Sequence, residues 1–374
     1  MSRCITTHKL MLLRVALASG LLFGNIARAS EDADLLADLG LRESPIPVRE
    51  IKTWQRPKKI VVLIDSPARL AWFRQAIKGS DVELIGAYNP SEFLSRIKNA
   101  DGVEGICTPE VVKADPELHW IQMQTAGVEE CLSIPRVDSG DIILTNMRGV
   151  DAPNVAEHTF ALLLALSRHL AIFMAAQQRA TWTPRLAQDM VDLRGSTMLI
   201  VGLGANGAAI ANRARAFDMH VIATSNSGSS RVTDVDYVGK PDELARLIGR
   251  ADVVVNAAPL TPKTARLFNA ALFEKMKRGA FFINVGRGKS VDTVDLVQAL
   301  NSGQVAGAGL DVVDSEPLPP DDPLWKTPNV IITPHVANQS PLRMQRFWAV
   351  MRENLRRYVL GDRLLSVVDP ARGY

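Results

Sequence analysis

Cysteine is scarce in this chain: three residues in 374, at Cys4, Cys107 and Cys131. That is too few for the disulfide framework of a small secreted scaffold, and no spacing among the histidines suggests a metal centre. Cys107 and Cys131 can pair only where a fold brings their backbones close, so the expectation is two buried, inert thiols. Runs of like charge are missing too. The 43 Lys and Arg and the 40 Asp and Glu are interspersed, for a formal net charge of +3. Without a basic stripe, nucleic acid is not an expected partner. No repeat at solenoid period and no low-complexity tract occurs. At 47% hydrophobic residues, the chain is globular and long enough for two domains.

No apolar run near the N-terminus reaches the ~20 residues of a spanning helix. What stands there instead is a three-part pattern. Arg3, Lys9 and Arg14 precede "VALASGLLFGNI", and Ala27-Arg28-Ala29 follows it. This predicts a secretory signal over residues 1–29; the plainer alternative is a start at Met11 or a loose N-terminal helix. There is no twin-arginine pair, so export would take place unfolded. Loss of the segment removes Arg3, Lys9, Arg14 and Arg28 and no acidic residue, taking the net charge from +3 to −1. The expected location is periplasmic or secreted if the signal is genuine, and cytoplasmic otherwise. No membrane partner is expected once it is gone.

Residues 30–57 are polar and dotted with proline, an extension without clear period. Then "KKIVVLID", "VELIGAY", "GVEGICT" and "WIQMQ" alternate with amphipathic stretches such as "SEFLSRIKNA". That alternation predicts a parallel sheet with helices on both faces. Residues 152–178 are apolar nearly all round and predict one long helix, buried between domains or subunits. From Thr197 a second alternation offers six short apolar strands, as in a doubly wound sheet. The closing stretch "PLRMQRFWAVMRENLRRYVLG" is helical and able to cross back onto the first domain.

Within "VGLGANG", Gly202, Gly204 and Gly207 hold the G-x-G-x-x-G spacing between a strand and a helix. The first glycine makes the tight turn, the second admits a pyrophosphate, and the third lets helix and strand pack closely. Where the next strand ends, a carboxylate would read the ribose of NAD; here stand Ser225, Asn226 and Ser227, with Arg231 beyond. Hydroxyls, an amide and a guanidinium suit a 2′-phosphate, so NADP(H) is expected ahead of NAD(H). The bland reading, loop residues in a site tolerant of both, stays open. Three further residues end strands of the same half: Arg287 between Gly286 and Gly288, Glu316 in "DVVDSEPLP", and His335 in "NVIITPH". Strand ends on one edge of a parallel sheet converge on a ligand crevice. There a histidine can move one proton near neutral pH, with a carboxylate to orient it. An arginine's rigid fork can grip a planar anion. Singly, each has a dull explanation: a loop ion pair, a turn, a cap. His119, His158, His169 and His220 lie in strand or helix patterns and read as structural.

Together these motifs resemble the D-isomer-specific 2-hydroxyacid dehydrogenases, over residues 59–374. The match runs through "VAEHTFALLLALSR", "APLTPKTARLFNAALFEKMKRGAFFINVGRG" and "VAGAGLDVVDSEPLPPDDPLW". The resemblance implies an α/β fold of two Rossmann-like, doubly wound parallel-sheet domains with a cleft between them. Residues 58–154 with 334–374 would form the substrate domain, and residues 155–333 the dinucleotide domain. It places the catalytic roles on Arg287, Glu316 and His335, and a contact to the nicotinamide carboxamide on Asp311. It lines the cofactor with Ala258, Pro259, Thr264, Val285 and Gly286, besides the glycine motif. It puts the substrate carboxylate on backbone amides near Ala126 and Gly127 in "QTAGVEE", together with Arg287.

The ending "SVVDPARGY" and the loop around Ala126 look most like the glyoxylate/hydroxypyruvate reductase branch. The implied reaction is reduction of small 2-oxo acids to D-2-hydroxy acids by a homodimer joined through its cofactor domains. NAD-linked oxidation of D-hydroxy acids and a dinucleotide-sensing, corepressor-like scaffold are the alternatives. Two departures stand out. Ala205 and Asn206 replace the family's Arg-Ile pair, removing a charge near the pyrophosphate, and Asn338 stands where glycine is usual. Weaker cofactor affinity is the expectation from the first.

Overall fold

The computed structural model describes residues 36, 39, 41–182, 190–226, 228 and 232–372. The expected signal over residues 1–29, and Ser227 and Arg231 of the expected ribose site, lie outside these residues. Two parallel sheets organise the rest. The first has five strands, β1 (Lys59–Leu63), β2 (Glu83–Ala87), β3 (Gly102–Gly105), β4 (Trp120–Met123) and β5 (Ile143–Thr145), in the order β2-β1-β3-β4-β5. Apolar runs such as "KIVVL" are buried along nearly their whole length because both faces are covered. The intervening helices start where a capping residue precedes proline. Ser66, Asn89 and Thr108 accept from Arg69 N, Glu92 N and Val111 N, each followed by a proline at the first helical position.

Ser340 and Pro341 repeat this device at the start of the C-terminal helix Pro341–Leu360. That helix packs on the first sheet: Tyr358 stacks on Trp120 with ring centres 4.4 Å apart, and Trp348 meets Phe73 edge-on at 6.1 Å. Under it runs a buried polar network. Trp120 Nε1 donates to Thr145 Oγ1, Thr145 Oγ1 to Gln122 Oε1, and Asn354 Nδ2 to the same Gln122 oxygen.

The second sheet has seven strands: β6 (Thr197–Val201), β7 (His220–Thr224), β8 (Tyr237–Gly239), β9 (Val253–Asn256), β10 (Ala280–Asn284), β11 (Val305–Leu310) and β12 (Val330–Ile332). Their order is β12-β11-β10-β9-β6-β7-β8, all parallel. The order reverses between β6 and β9, the switch point where doubly wound sheets open a ligand crevice. The chain passes between the sheets twice, and these crossings are tied together. Arg343 Nε bonds Asp151 Oδ1 at 2.9 Å, and Arg346 Nη1 bonds Asn154 Oδ1 at 3.0 Å. Burial pushes the Asp151 carboxyl up, and the Arg343 guanidinium opposes that shift.

Four expectations need correction. The second sheet has seven strands rather than six, because β8 is a three-residue edge strand with one buried residue. The first gains β5, equally short. The apolar stretch over residues 152–178 is not one helix but two, Ala152–Ser167 and Leu170–Gln178, bent by 68°. His169 breaks it by taking a left-handed backbone, φ 54°. Cys107 and Cys131 are not free thiols but a disulfide, with Cα atoms 5.6 Å apart. Each follows one of the adjacent parallel strands β3 and β4, whose pairing brings their ends side by side.

Glu104, on β3, is fully buried and neither carboxylate oxygen has a partner. Burial raises its pKa well above the ordinary 4.5. A raised acid binds a proton in the fold that the unfolded chain releases. Stability is therefore fully present below pH 4.5 and falls as pH rises towards the folded pKa. The slope reaches about 1.4 kcal/mol per pH unit. Glu104→Gln should remove it, so urea unfolding from pH 5 to pH 8 should show the variant gaining on the parent. Identical pH dependence in the two proteins would contradict the assignment.

Candidate active site

Arg287, Glu316 and His335 follow β10, β11 and β12, three neighbouring strands, at their C-terminal ends. What fixes Arg287 is a buried polar cluster at those ends. Asn256 Nδ2 donates to Asn284 Oδ1 at 2.9 Å and to Ser290 Oγ at 2.7 Å. Asn284 Nδ2 and Ser290 Oγ in turn donate to the Arg287 carbonyl, at 3.2 and 2.5 Å. Next in the chain, Gly288 lies so close to the following loop that a Cβ there would stand 1.7 Å from the Val313 carbonyl oxygen. The arginine turn is thus pressed against the segment that carries Glu316. Val313 N donates to Glu316 Oε1 at 3.2 Å, and His335 Nδ1 meets Glu316 Oε2 at 2.8 Å. The second contact leaves Nε2 as the ring nitrogen that Glu316 does not engage.

His335 itself has a left-handed backbone, φ 54°, a conformation that costs a non-glycine residue about 1–3 kcal/mol unless its surroundings impose it. Asp311 imposes it. Its carbonyl accepts from His335 N at 2.9 Å. Its carboxylate accepts from Val336 N, Ala337 N and Thr333 Oγ1, at 2.9, 3.1 and 2.6 Å. Asp311, expected at the nicotinamide carboxamide, is 3% exposed, and its hydrogen bonds hold the His335 turn. Thr333 Oγ1 also lies 2.8 Å from His158 Nε2. Because the hydroxyl proton goes to Asp311, His158 is the donor in that pair.

The first domain meets this site through residues 124–129. Asn146 Nδ2 donates to the Ala126 carbonyl at 2.8 Å, and Thr125 Oγ1 to the Gly127 carbonyl at 2.9 Å. A Cβ on Gly127 would stand 2.9 Å from Arg287 Nη2. The structure therefore brings Ala126, Gly127 and Arg287 together across the cleft. It adds Glu129, whose Oε1 accepts from Arg287 Nε at 3.2 Å. Two residues on, the Cys131 disulfide ties this segment to Cys107.

At the switch point, Gly202 has φ 98°, and a Cβ on it would meet the Ala258 backbone at 2.7 Å. A Cβ on Gly207 would meet the Gly202 carbonyl at 2.4 Å, and one on Gly286 the Ala258 carbonyl at 2.8 Å. Packing demands these glycines. Gly204 is different: a Cβ there would meet only a side-chain atom, Arg148 Nη2, at 3.5 Å. The open position over Gly204 and the helix Ala205–Ala216 that starts beside it form a cradle suited to a pyrophosphate. Ala205 and Asn206 lie in the first turn of that helix. Val285 is buried behind Gly286. Thr264 Oγ1 donates to the Pro259 carbonyl at 2.7 Å, tying the loop after Ala258 upon itself. Ser225 follows β7, its N–H donating to the Gly239 carbonyl at 3.0 Å, with Asn226 next to it.

The sequence reading missed the Asn256–Asn284–Ser290 cluster, Glu129 and Arg148. A signal for the first existed, since "VVVN" and "FFIN" each end a buried strand on asparagine. For Glu129 and Arg148 no local signal exists, because Glu129 meets Arg287 and Arg148 lies near Gly204 only in the folded chain.

The family model described as "D-isomer specific 2-hydroxyacid dehydrogenase, NAD binding domain" matches residues 160–337. A glyoxylate reductase of Thermofilum pendens is 34% identical over 286 residues, 74% of this chain and 84% of that relative. A D-isomer specific 2-hydroxyacid dehydrogenase family protein of Aeromonas salmonicida superposes with a TM-score of 0.70 at 33% identity, covering 84% of this chain and 99% of that one. The NADPH-dependent glyoxylate/hydroxypyruvate reductase of Sinorhizobium meliloti, solved with NADP and sulfate, gives 0.70 at 29% identity, covering 85% and 100%. The chain belongs to the D-isomer-specific 2-hydroxyacid dehydrogenase family, whose members are NAD(P)-dependent oxidoreductases acting on CH–OH groups.

Proposed function

We infer that the chain reduces small 2-oxo acids of the glyoxylate and hydroxypyruvate class to D-2-hydroxy acids, with NADPH preferred and NADH possible. The observation that carries this is the His335–Glu316 pair at 2.8 Å on the sheet edge that also presents Arg287 to Gly127. The relatives' names and the NADP found in the Sinorhizobium meliloti structure support it. Residues 58–154 with 334–374 act as the substrate domain and residues 155–333 as the dinucleotide domain. When bound, the reduced nicotinamide supplies the hydride for the carbonyl carbon.

The chain's own groups do the rest. Arg287 binds the substrate carboxylate with its planar fork, helped by backbone N–H groups near Ala126 and Gly127. That places the carbonyl oxygen within reach of His335, which donates the proton from Nε2. Glu316 accepts from Nδ1–H, fixing the ring so that Nε2 faces the substrate. Asp311 holds the histidine's backbone in place. Gly202, Gly204, Gly207, Ala258 and Gly286 would form the floor for the dinucleotide, and Ser225 with Asn226 would hold its ribose phosphate.

The chain acts as a homodimer joined through the helix Leu170–Gln178 and the segment after it. Leu170, Met174 and Trp182 are 45, 62 and 94% exposed there, an apolar face that a second copy would cover. The protein is exported after loss of residues 1–29. The three-part N-terminus supports that reading, and so does a disulfide of the kind that persists in oxidising compartments.

Arg287→Ala should lower kcat/KM for glyoxylate by about 10² to 10⁴, because a charged contact to the reacting acid is lost. Turnover like the parent's in the folded variant would remove Arg287 from the mechanism. Light scattering should give the mass of two chains; the mass of one would rule out the dimer. Protein recovered from the periplasm of an expressing bacterium should begin at Ser30. Retention of Met1 on a cytosolic product would rule out export.

A further inference from the structure

We propose that Arg148, a residue of the substrate domain, reaches across the cleft to bind the cofactor's pyrophosphate. The inference rests on the dinucleotide reading given above. The second glycine of the turn, Gly204, lacks a side chain so that a pyrophosphate can approach its backbone. The point where its Cβ would stand is 3.5 Å from Arg148 Nη2. The guanidinium therefore sits beside the space that the pyrophosphate enters. Within the turn itself there is no charge, since Ala205 and Asn206 open the helix Ala205–Ala216. Helix N–H groups alone would face two phosphate charges. An arginine adds paired donors and a permanent positive charge.

The loop that carries Arg148 is built to hold it there. Arg148 N donates to Asn146 Oδ1 at 3.1 Å, and Ser366 Oγ donates to the Arg148 carbonyl at 3.1 Å. Gly149 follows with φ 97°, and its missing Cβ would stand 3.8 Å from Ala205 Cβ, so the loop lies against the glycine turn. The same loop supports the substrate segment. Met147 N donates to the Thr125 carbonyl at 3.0 Å, and Asn146 Nδ2 to the Ala126 carbonyl at 2.8 Å. Dinucleotide held by Arg148 would thus be bridged to the loop expected to bind the 2-oxo acid. The charge missing at Ala205 and Asn206 is made up from the other domain.

The test is equilibrium binding on the full protein, without substrate. Its probes are NADPH, 2′-phospho-ADP-ribose, which keeps the pyrophosphate, and adenosine 2′-monophosphate, which lacks it. Arg148→Gln should raise Kd for the first two by about 10- to 100-fold, the range of one charge-assisted contact, and leave the third unchanged. Arg148→Lys, which keeps the charge but not the fork, should fall between. Unchanged affinity for the pyrophosphate ligands in Arg148→Gln would overturn the proposal, as would equal weakening of all three probes. Wild-type protein that binds no dinucleotide would instead overturn the cofactor reading, and this proposal with it.

Discussion

The site depends on a missing side chain. At Gly288 the backbone of the arginine turn runs so close to Val313 that a Cβ would stand 1.7 Å from a carbonyl oxygen. Hydrogen alone fits. That contact locks the turn bearing Arg287 to the loop bearing Glu316, and Glu316 in turn orients His335 through a 2.8 Å bond. Three chemical groups on three strands become one unit because two stretches of backbone touch. Preorganisation of this kind lets charged groups act without rearranging during the reaction. The Asn256–Asn284–Ser290 cluster secures the unit from below, and buried amides can do so because nearly all their hydrogen-bonding capacity is used.

The other half of the constraint concerns backbone shape. His335 occupies a conformation that its side chain disfavours, and Asp311 holds it there from a nearly dry position. The Asp311 side chain there accepts three hydrogen bonds from the segment that carries His335. A buried carboxylate without such partners behaves differently. Glu104 has none, and burial raises its pKa well above the ordinary 4.5.

Much of this was legible in the sequence, for physical reasons. Strands covered on both faces read as unbroken apolar runs, so "KIVVL" and "AFFIN" announce themselves. Ser66-Pro67, Asn89-Pro90 and Thr108-Pro109 mark helix starts because a cap and a preset φ are local properties. The glycine motif was readable for the same reason. Strands β5 and β8 were not, since three residues carry little period, whereas equally short β12 was marked by the longer run "NVIITPH". The break at His169 was hidden because an apolar pattern continues through it. The Cys107–Cys131 bridge and the Glu129 and Arg148 contacts depend on which strand ends lie side by side, and no local spacing encodes that. The hydrogen bonds that Asp311 accepts from the segment of His335 were hidden for the same reason, because they join the ends of two strands.

The central claim is that this sheet edge binds a 2-oxo acid and protonates its carbonyl oxygen, while the carbonyl carbon would take hydride from bound NADPH on one face. The most direct measurement incubates protein beginning at Ser30 with NADPH and hydroxypyruvate, then resolves the glycerate formed by chiral chromatography. The account predicts D-glycerate in amounts matching the NADPH consumed. L-glycerate, or no NADPH loss in folded protein with either glyoxylate or hydroxypyruvate, would contradict it.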